Sequence, residues 1–146
     1  IVFTNFTEPL MEIWSKYKKM AVPLYGKMSQ EQRQESVDSF QNDPKTKIFV
    51  SNIKAGGVGI TLTAGEVVIF NDLSFVPSDM AQAEDRAFRI GQKKNVSCLY
   101  PIFENTLEKI IYNIVQKKKR IIDTVMGDHI EEDDLMLSIL EEMQLL

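Results

Sequence analysis

Short apolar runs alternate with amphipathic stretches along the whole chain. Residues 1–6, 21–25, 47–50, 67–70 and 96–101 read as strands, rich in apolar and β-branched side chains. The run Val67-Val68-Ile69-Phe70 is apolar throughout, the pattern of a strand covered on both faces. Between these runs lie helical patterns. Thr7 suits the cap of a helix reaching about residue 20, with Pro9 tolerated in its first turn. Ser29-Gln30-Glu31-Gln32 is a capping box opening a helix that ends near Phe40, and Asn42-Asp43-Pro44 then makes a turn. Ser78 suits the cap of a helix carrying residues 82–89, with Gly91 as its stop. Residues 105–126 predict a long helix with Leu107, Ile110, Ile111, Ile114, Ile121, Ile122 and Val125 on its apolar side. Gly127 breaks it, and a last amphipathic helix is expected over 133–145.

Strands alternating with helices at this spacing predict an α/β fold, a mainly parallel sheet with helices on both faces. Ligands in such folds sit at the carboxyl ends of the strands. The loop after Val50 and the segment after Phe70 fall there.

The chain has 146 residues, 44 % of them apolar and 26 % charged, the proportions of a globular domain. No apolar run approaches the ~20 residues that cross a bilayer, so no membrane partner is expected. One cysteine, Cys98, excludes an internal disulfide and a cysteine-based zinc site. The chain opens at Ile1 in an apolar run with no charged stretch before it, so it reads as a piece of a longer, non-secreted protein. The net charge of −4 hides an asymmetry: residues 127–146 hold seven acids and no base, leaving 14 acids against 17 bases before them. A body of net +3 can meet phosphates locally, but this charge alone does not identify a nucleic-acid binder.

Two segments carry candidate chemistry. The first is Gln82-Ala83-Glu84-Asp85-Arg86-Ala87-Phe88-Arg89-Ile90-Gly91-Gln92. On a helix Gln82, Arg86 and Arg89 share one face, while Ala83, Ala87 and Ile90 form a stripe suited to packing on a sheet. Two guanidiniums on a rigid element suit the stabilisation of charge on a transferring phosphoryl group; the plainer reading is a solvated face with internal ion pairs. The second is Ser51-Asn52-Ile53-Lys54-Ala55-Gly56-Gly57-Val58-Gly59-Ile60-Thr61-Leu62. Its glycines let the backbone approach a phosphate or ribose, although such turns also occur for purely structural reasons. It is no P-loop, because the chain's Gly-Lys pair, Gly26-Lys27, continues as Met28.

Together and in this order, the two segments resemble motifs V and VI of the Swi/Snf-type chromatin-remodelling ATPases of helicase superfamily two. Residues 1–6 resemble motif IV, Tyr25 to Arg33 with Phe40 resemble the segment that follows it, and Thr106 to Lys119 resemble the closing helix. The chain departs from the family at Phe88, where histidine is usual, and at Phe75-Val76-Pro77, where Trp-Asn-Pro is usual, which points to an outlying branch. The resemblance implies a RecA-like three-layer sandwich with C-terminal helices: residues 1–126 as the second motor lobe and 127–146 as an acidic helical tail.

It further implies that ATP with Mg²⁺ lies between this lobe and an N-terminal RecA-like lobe of the same polypeptide, which carries the P-loop and the metal site. Arg86 and Arg89 would then be arginine fingers, Gln82 would position them or the attacking water, and Gly57 and Gly59 would let the loop approach the nucleotide. Thr4, Gln30, Arg33, Ser51 and Lys54 would meet the backbone of double-stranded DNA. The full-length protein would hydrolyse ATP, this piece alone would not, and its site of action would be the bacterial cytoplasm or the eukaryotic nucleus. The acidic tail is a candidate surface for a protein partner, with Leu135, Met136, Ile139, Leu140 and Met143 at helical spacing. The rival readings are a binding or interaction module without turnover and a lobe of an RNA helicase. Arg89-Ile90-Gly91-Gln92 argues against the latter, since DEAD-box relatives end motif VI with Gly-Arg-x-Gly-Arg.

Overall fold

The computed structural model describes residues 1–55 and 59–124, with side chains through Lys117 in the last helix. Gly57, the side chains of Lys118 to Ile122, Val125, Gly127 and the predicted 133–145 helix lie outside what is described. The elements in order are β1 (Val2–Thr4), α1 (Thr7–Lys16), β2 (Ala21–Leu24), α2 (Gln30–Asn42), β3 (Ile48–Asn52), β4 (Val67–Phe70), α3 (Pro77–Ala87), β5 (Ser97–Leu99) and α4 (Leu107–Thr124). The strands form one sheet in the order β2-β3-β1-β4-β5, every pair parallel. This is the predicted α/β architecture.

Register assigns the faces. Phe3 stands opposite both Ser51 and Phe70, and side chains alternate with period two along a strand. Phe3, Phe49 and Phe70 therefore share one face, and the β4–β5 register carries the row on to Tyr100. The rings stack, Phe3 on Phe70 at 5.6 Å and Phe70 on Tyr100 at 5.0 Å between centroids. Phe40 of α2 meets Phe49 at 5.3 Å, and the Arg86 guanidinium of α3 lies 5.7 Å from the Phe3 ring. So α2 and α3 cover this face, with α4 beside α3 through Ile111 and Val115. The β1–α1–β2 crossover runs the other way along the sheet, and right-handed connection places α1, anchored by buried Leu10, on the opposite face.

The capping box forms as the sequence predicts: Ser29 accepts from the Gln32 backbone N–H and the Gln32 side chain accepts from that of Ser29. Such a cap contributes about 1 kcal/mol. Several helix boundaries differ from expectation. Thr7 is the first helical residue rather than a cap, because the Thr4 hydroxyl already accepts from the Phe6 N–H. α1 stops at Lys16 rather than near 20, because the Met20 carbonyl accepts from Lys47 and Ile48 and so belongs to the sheet ladder. α3 starts at Pro77, whose fixed φ suits the first turn, and Ser74 rather than Ser78 serves the entry by accepting from Val76 N–H at 3.1 Å.

The end of α3 matters most. It stops at Ala87, two residues before Arg89. The Gln92 amide donates to Ala87 O at 3.3 Å and Gly65 O at 2.9 Å, and Gly91 turns the chain at φ +104°. Ala83 and Ala87 are fully buried as expected, but Ile90, expected on the same stripe, is 100 % exposed. At the other end of the connection to α4, Asn105 takes φ +61°, a region asparagine tolerates, and helix α4 begins only at Leu107. Leu107 itself is half-exposed.

Candidate functional site

The carboxyl edge of the sheet is held by a polar cluster from three strands. Asp72, just past β4, accepts from the Thr4 hydroxyl and from Asn5 N–H at 2.6 Å. The Asn5 amide donates to Leu73 O at 2.6 Å. The Thr4 carbonyl accepts from Ile53 N–H at 3.0 Å and from the Asn52 amide at 3.4 Å. These bonds fix the starts of the loops after β1, β3 and β4 relative to one another. Sequence reasoning missed Asp72, Asn5 and Asn52 as a unit; an Asp two residues past an apolar strand was the available signal.

Between α3 and the glycine loop a groove of about 190 Å³ is lined by Gly59, Ile60, Gln82, Asp85, Arg86 and Arg89. Gln82, Arg86, Arg89 and Gly59 are thus brought together, although not as three side chains of one helix face. Gly59 sits at φ +64°, a conformation that glycine adopts without steric cost.

The two arginines differ in environment. Arg89 is exposed; its Nη1 donates to Gly59 O at 3.4 Å, Ile60 O at 3.2 Å and the Thr61 hydroxyl at 3.3 Å. These are long bonds shared by one nitrogen, and weak ones. Arg86 is buried at 7 % exposure. Its Nη1 donates to Ile53 O at 3.3 Å, and its own carbonyl accepts from Leu62 N–H at 2.9 Å. Arg86 therefore ties α3 to both ends of the glycine loop. Burial pulls its pKa down from the ordinary arginine value, while nearby Asp79 pushes it up; an arginine stays charged throughout.

The expected DNA-facing residues separate into two sets. Lys54 is exposed, with Asp79 4.0 Å away in a loose surface pair, which contributes little. Gln30 is exposed at the start of α2. Arg33 is half-buried and braces the preceding turn through Gly26 O at 2.8 Å and Met28 O at 3.2 Å. Thr4 and Ser51, by contrast, are 0 % exposed, and Ser51 donates to Asn52 O at 3.0 Å. The expectation that their hydroxyls meet a phosphate does not fit this conformation, since both point into the sheet. Phe88 and Phe75, the departures from the family pattern, are exposed at 70 % and 43 %.

Residues 1–91 match the model of the helicase conserved C-terminal domain. The chain belongs to that family. More narrowly, the helicase lobe is a C-terminal lobe of a Swi/Snf-type ATPase. It is 38 % identical over 118 residues to the SWI/SNF-related matrix-associated actin-dependent regulator of chromatin subfamily A-like protein 1 of Drosophila melanogaster, covering 81 % of the lobe and 16 % of that relative. It is 32 % identical over 141 residues to the ATP-dependent helicase fft2 of Schizosaccharomyces pombe, covering 97 % of the lobe and 11 % of that relative.

Among solved structures, the C-terminal part of the Fun30 ATPase domain superposes with a TM-score of 0.77 at 32 % identity, over 99 % of the lobe and 48 % of that chain. The Sulfolobus solfataricus SWI2/SNF2 ATPase core in complex with dsDNA gives 0.72 at 30 % identity, over 99 % and 30 %. The RecA-like fold is thereby shown, and the helicase lobe spans only a small part of the curated relatives it matches.

Cys98, expected as a buried thiol, is half-buried. Burial first, then the Glu84 charge, pushes its pKa up, so it is protonated at neutral pH and a poor nucleophile. No described helix is long and apolar enough to cross a membrane.

Proposed function

We propose that residues 1–126 are the second motor lobe of an ATP-dependent double-stranded-DNA translocase and that residues 127–146 are an acidic helical tail. The observation that carries this reading is the convergence of Gln82, Arg86, Arg89 and Gly59 on one groove between α3 and the glycine loop. The ATP-dependent helicases among the relatives and the DNA-bound neighbour support it.

In this reading ATP binds between the groove and the N-terminal lobe of the same polypeptide. Arg89 exchanges its long bonds to Gly59, Ile60 and Thr61 for the γ-phosphate oxygens when the lobes close, since charge-assisted bonds to phosphate are stronger than bonds to neutral carbonyls. Arg86 keeps the glycine loop seated against α3 and adds positive charge from the groove wall. Gln82, exposed on the first turn that lines the groove, orients the attacking water. Gly57 and Gly59 let the loop come close to the nucleotide. In this reading the Mg²⁺ that accompanies ATP is held by the N-terminal lobe.

Lys54, Gln30 and Arg33 form the DNA-facing edge, with Thr4 and Ser51 beneath them as supports for the loops. Replacing Lys54 with Ala in the full-length protein is expected to weaken binding equally for all duplex sequences. It should also lower the steepness of the salt dependence by about one unit. Fluorescence anisotropy over a NaCl series reads this directly; an unchanged slope removes Lys54 from the DNA surface.

A further inference from the structure

The amino edge of the sheet, opposite Lys54, carries a second charged surface. α1 ends at Lys16, and residues 17–20 turn into β2; residues 43–47 turn into β3. The Met20 carbonyl accepts from Lys47 N–H at 2.8 Å and Ile48 N–H at 3.0 Å, so the two turns lie side by side. Between them they present Lys16, Lys18, Lys19, Lys45 and Lys47, all exposed. The acid within these turns, Asp43, accepts from the Lys45 backbone N–H at 2.8 Å and keeps its charge, leaving one anion among five cations.

The ion pairs among the described residues join Lys54, Lys94 and Lys109 to carboxylates, and none involves these five. The Lys16 ammonium instead lies 5.7 Å from the Tyr17 ring and that of Lys18 5.5 Å from the Trp14 ring. Five exposed cations gathered on two adjoining turns repel one another. A polyanion relieves that repulsion.

We propose that this edge is a second nucleic-acid surface, binding backbone phosphates of duplex DNA independently of the nucleotide groove and of Lys54. One feature favours a duplex over an acidic protein. A duplex presents one phosphate per ~1.7 Å of its axis, dense enough for lysines on both turns to be engaged together. Because Lys54 lies at the opposite edge of the sheet, the lobe contacts two duplex segments at once.

The test is binding of the 146-residue chain to a mixed-sequence duplex of about 30 base pairs across a NaCl series. Lys18→Ala/Lys19→Ala/Lys47→Ala together should lower the salt slope by about three and weaken binding at low salt by at least about 30-fold. The melting temperature should stay unchanged, because all three side chains are exposed. Amine-reactive footprinting of the unaltered chain needs no variant: DNA should protect Lys16, Lys18, Lys19, Lys45 and Lys47 from labelling. Equal labelling with and without DNA, or an unchanged slope in the triple variant, overturns the proposal. So does a triple variant that keeps DNA binding and loses binding of polyglutamate, which would assign the edge to an acidic protein.

Discussion

Arg89→Lys in the full-length protein is expected to lower DNA-stimulated ATP turnover by at least about 10²-fold. Arg89 lies beyond the end of α3 in a turn fixed by Gln92 and Gly91, with its guanidinium at the rim of the groove. Negative charge on a transferring γ-phosphoryl group spreads over its oxygens as the transition state forms, and a planar guanidinium can meet two of them. Arginine fingers in related chemistry contribute on the order of 10³–10⁵ in rate. Lysine keeps the charge and loses the fork. ATP affinity should change much less, because the contact belongs to the closed state. The fold should be unaffected, since Arg89 is exposed and its hydrogen bonds are long. A steady-state ATPase assay with saturating duplex, after melting curves have been matched, measures this. A surface arginine with no catalytic part predicts turnover within a few-fold of the unaltered protein.

Arg86→Ala should damage stability as well as turnover. The residue is buried, stacks on Phe3 and bonds Ile53 O. Its removal strands a carbonyl, forfeits a cation–π contact and leaves a gap beside the core, together about 2–3 kcal/mol. For a domain of this size that lowers Tm by roughly 10 °C. Thermal unfolding of the 146-residue chain reads it without any ATP. Arg86→Met keeps the stem's packing while removing a buried charge, so it should recover part of the stability and none of the turnover. An unshifted Tm for Arg86→Ala would show that Arg86 is not the tie between α3 and the glycine loop.

The contrast between these arginines was not legible in the sequence. Their spacing suits one helix face, and a helix that ended at Gly91 would have placed both there. The helix ends at Ala87 instead, through a tertiary contact, the Gln92 amide reaching Ala87 O and Gly65 O. Ile90 fell off the packing stripe for the same reason. Local signals fared better. The capping box at Ser29 and the apolar run of β4 depend on neighbours in sequence, and both formed as read. Thr4 and Ser51 are small polar residues near strand ends, where a hydroxyl can face a ligand or the sheet. For Thr4 the choice was made by Asp72, 68 residues away, which periodicity does not reveal.

On the proposed function, this chain supplies one half of an ATP site and a separate lobe supplies the other. Steady-state ATP hydrolysis by the purified 146-residue chain, with and without saturating duplex DNA, beside the full-length protein, reads this. The full-length protein should show DNA-stimulated turnover and the chain none above an Arg89→Ala control. Measurable hydrolysis by a homogeneous preparation of the chain, persisting in Arg89→Ala, would contradict it.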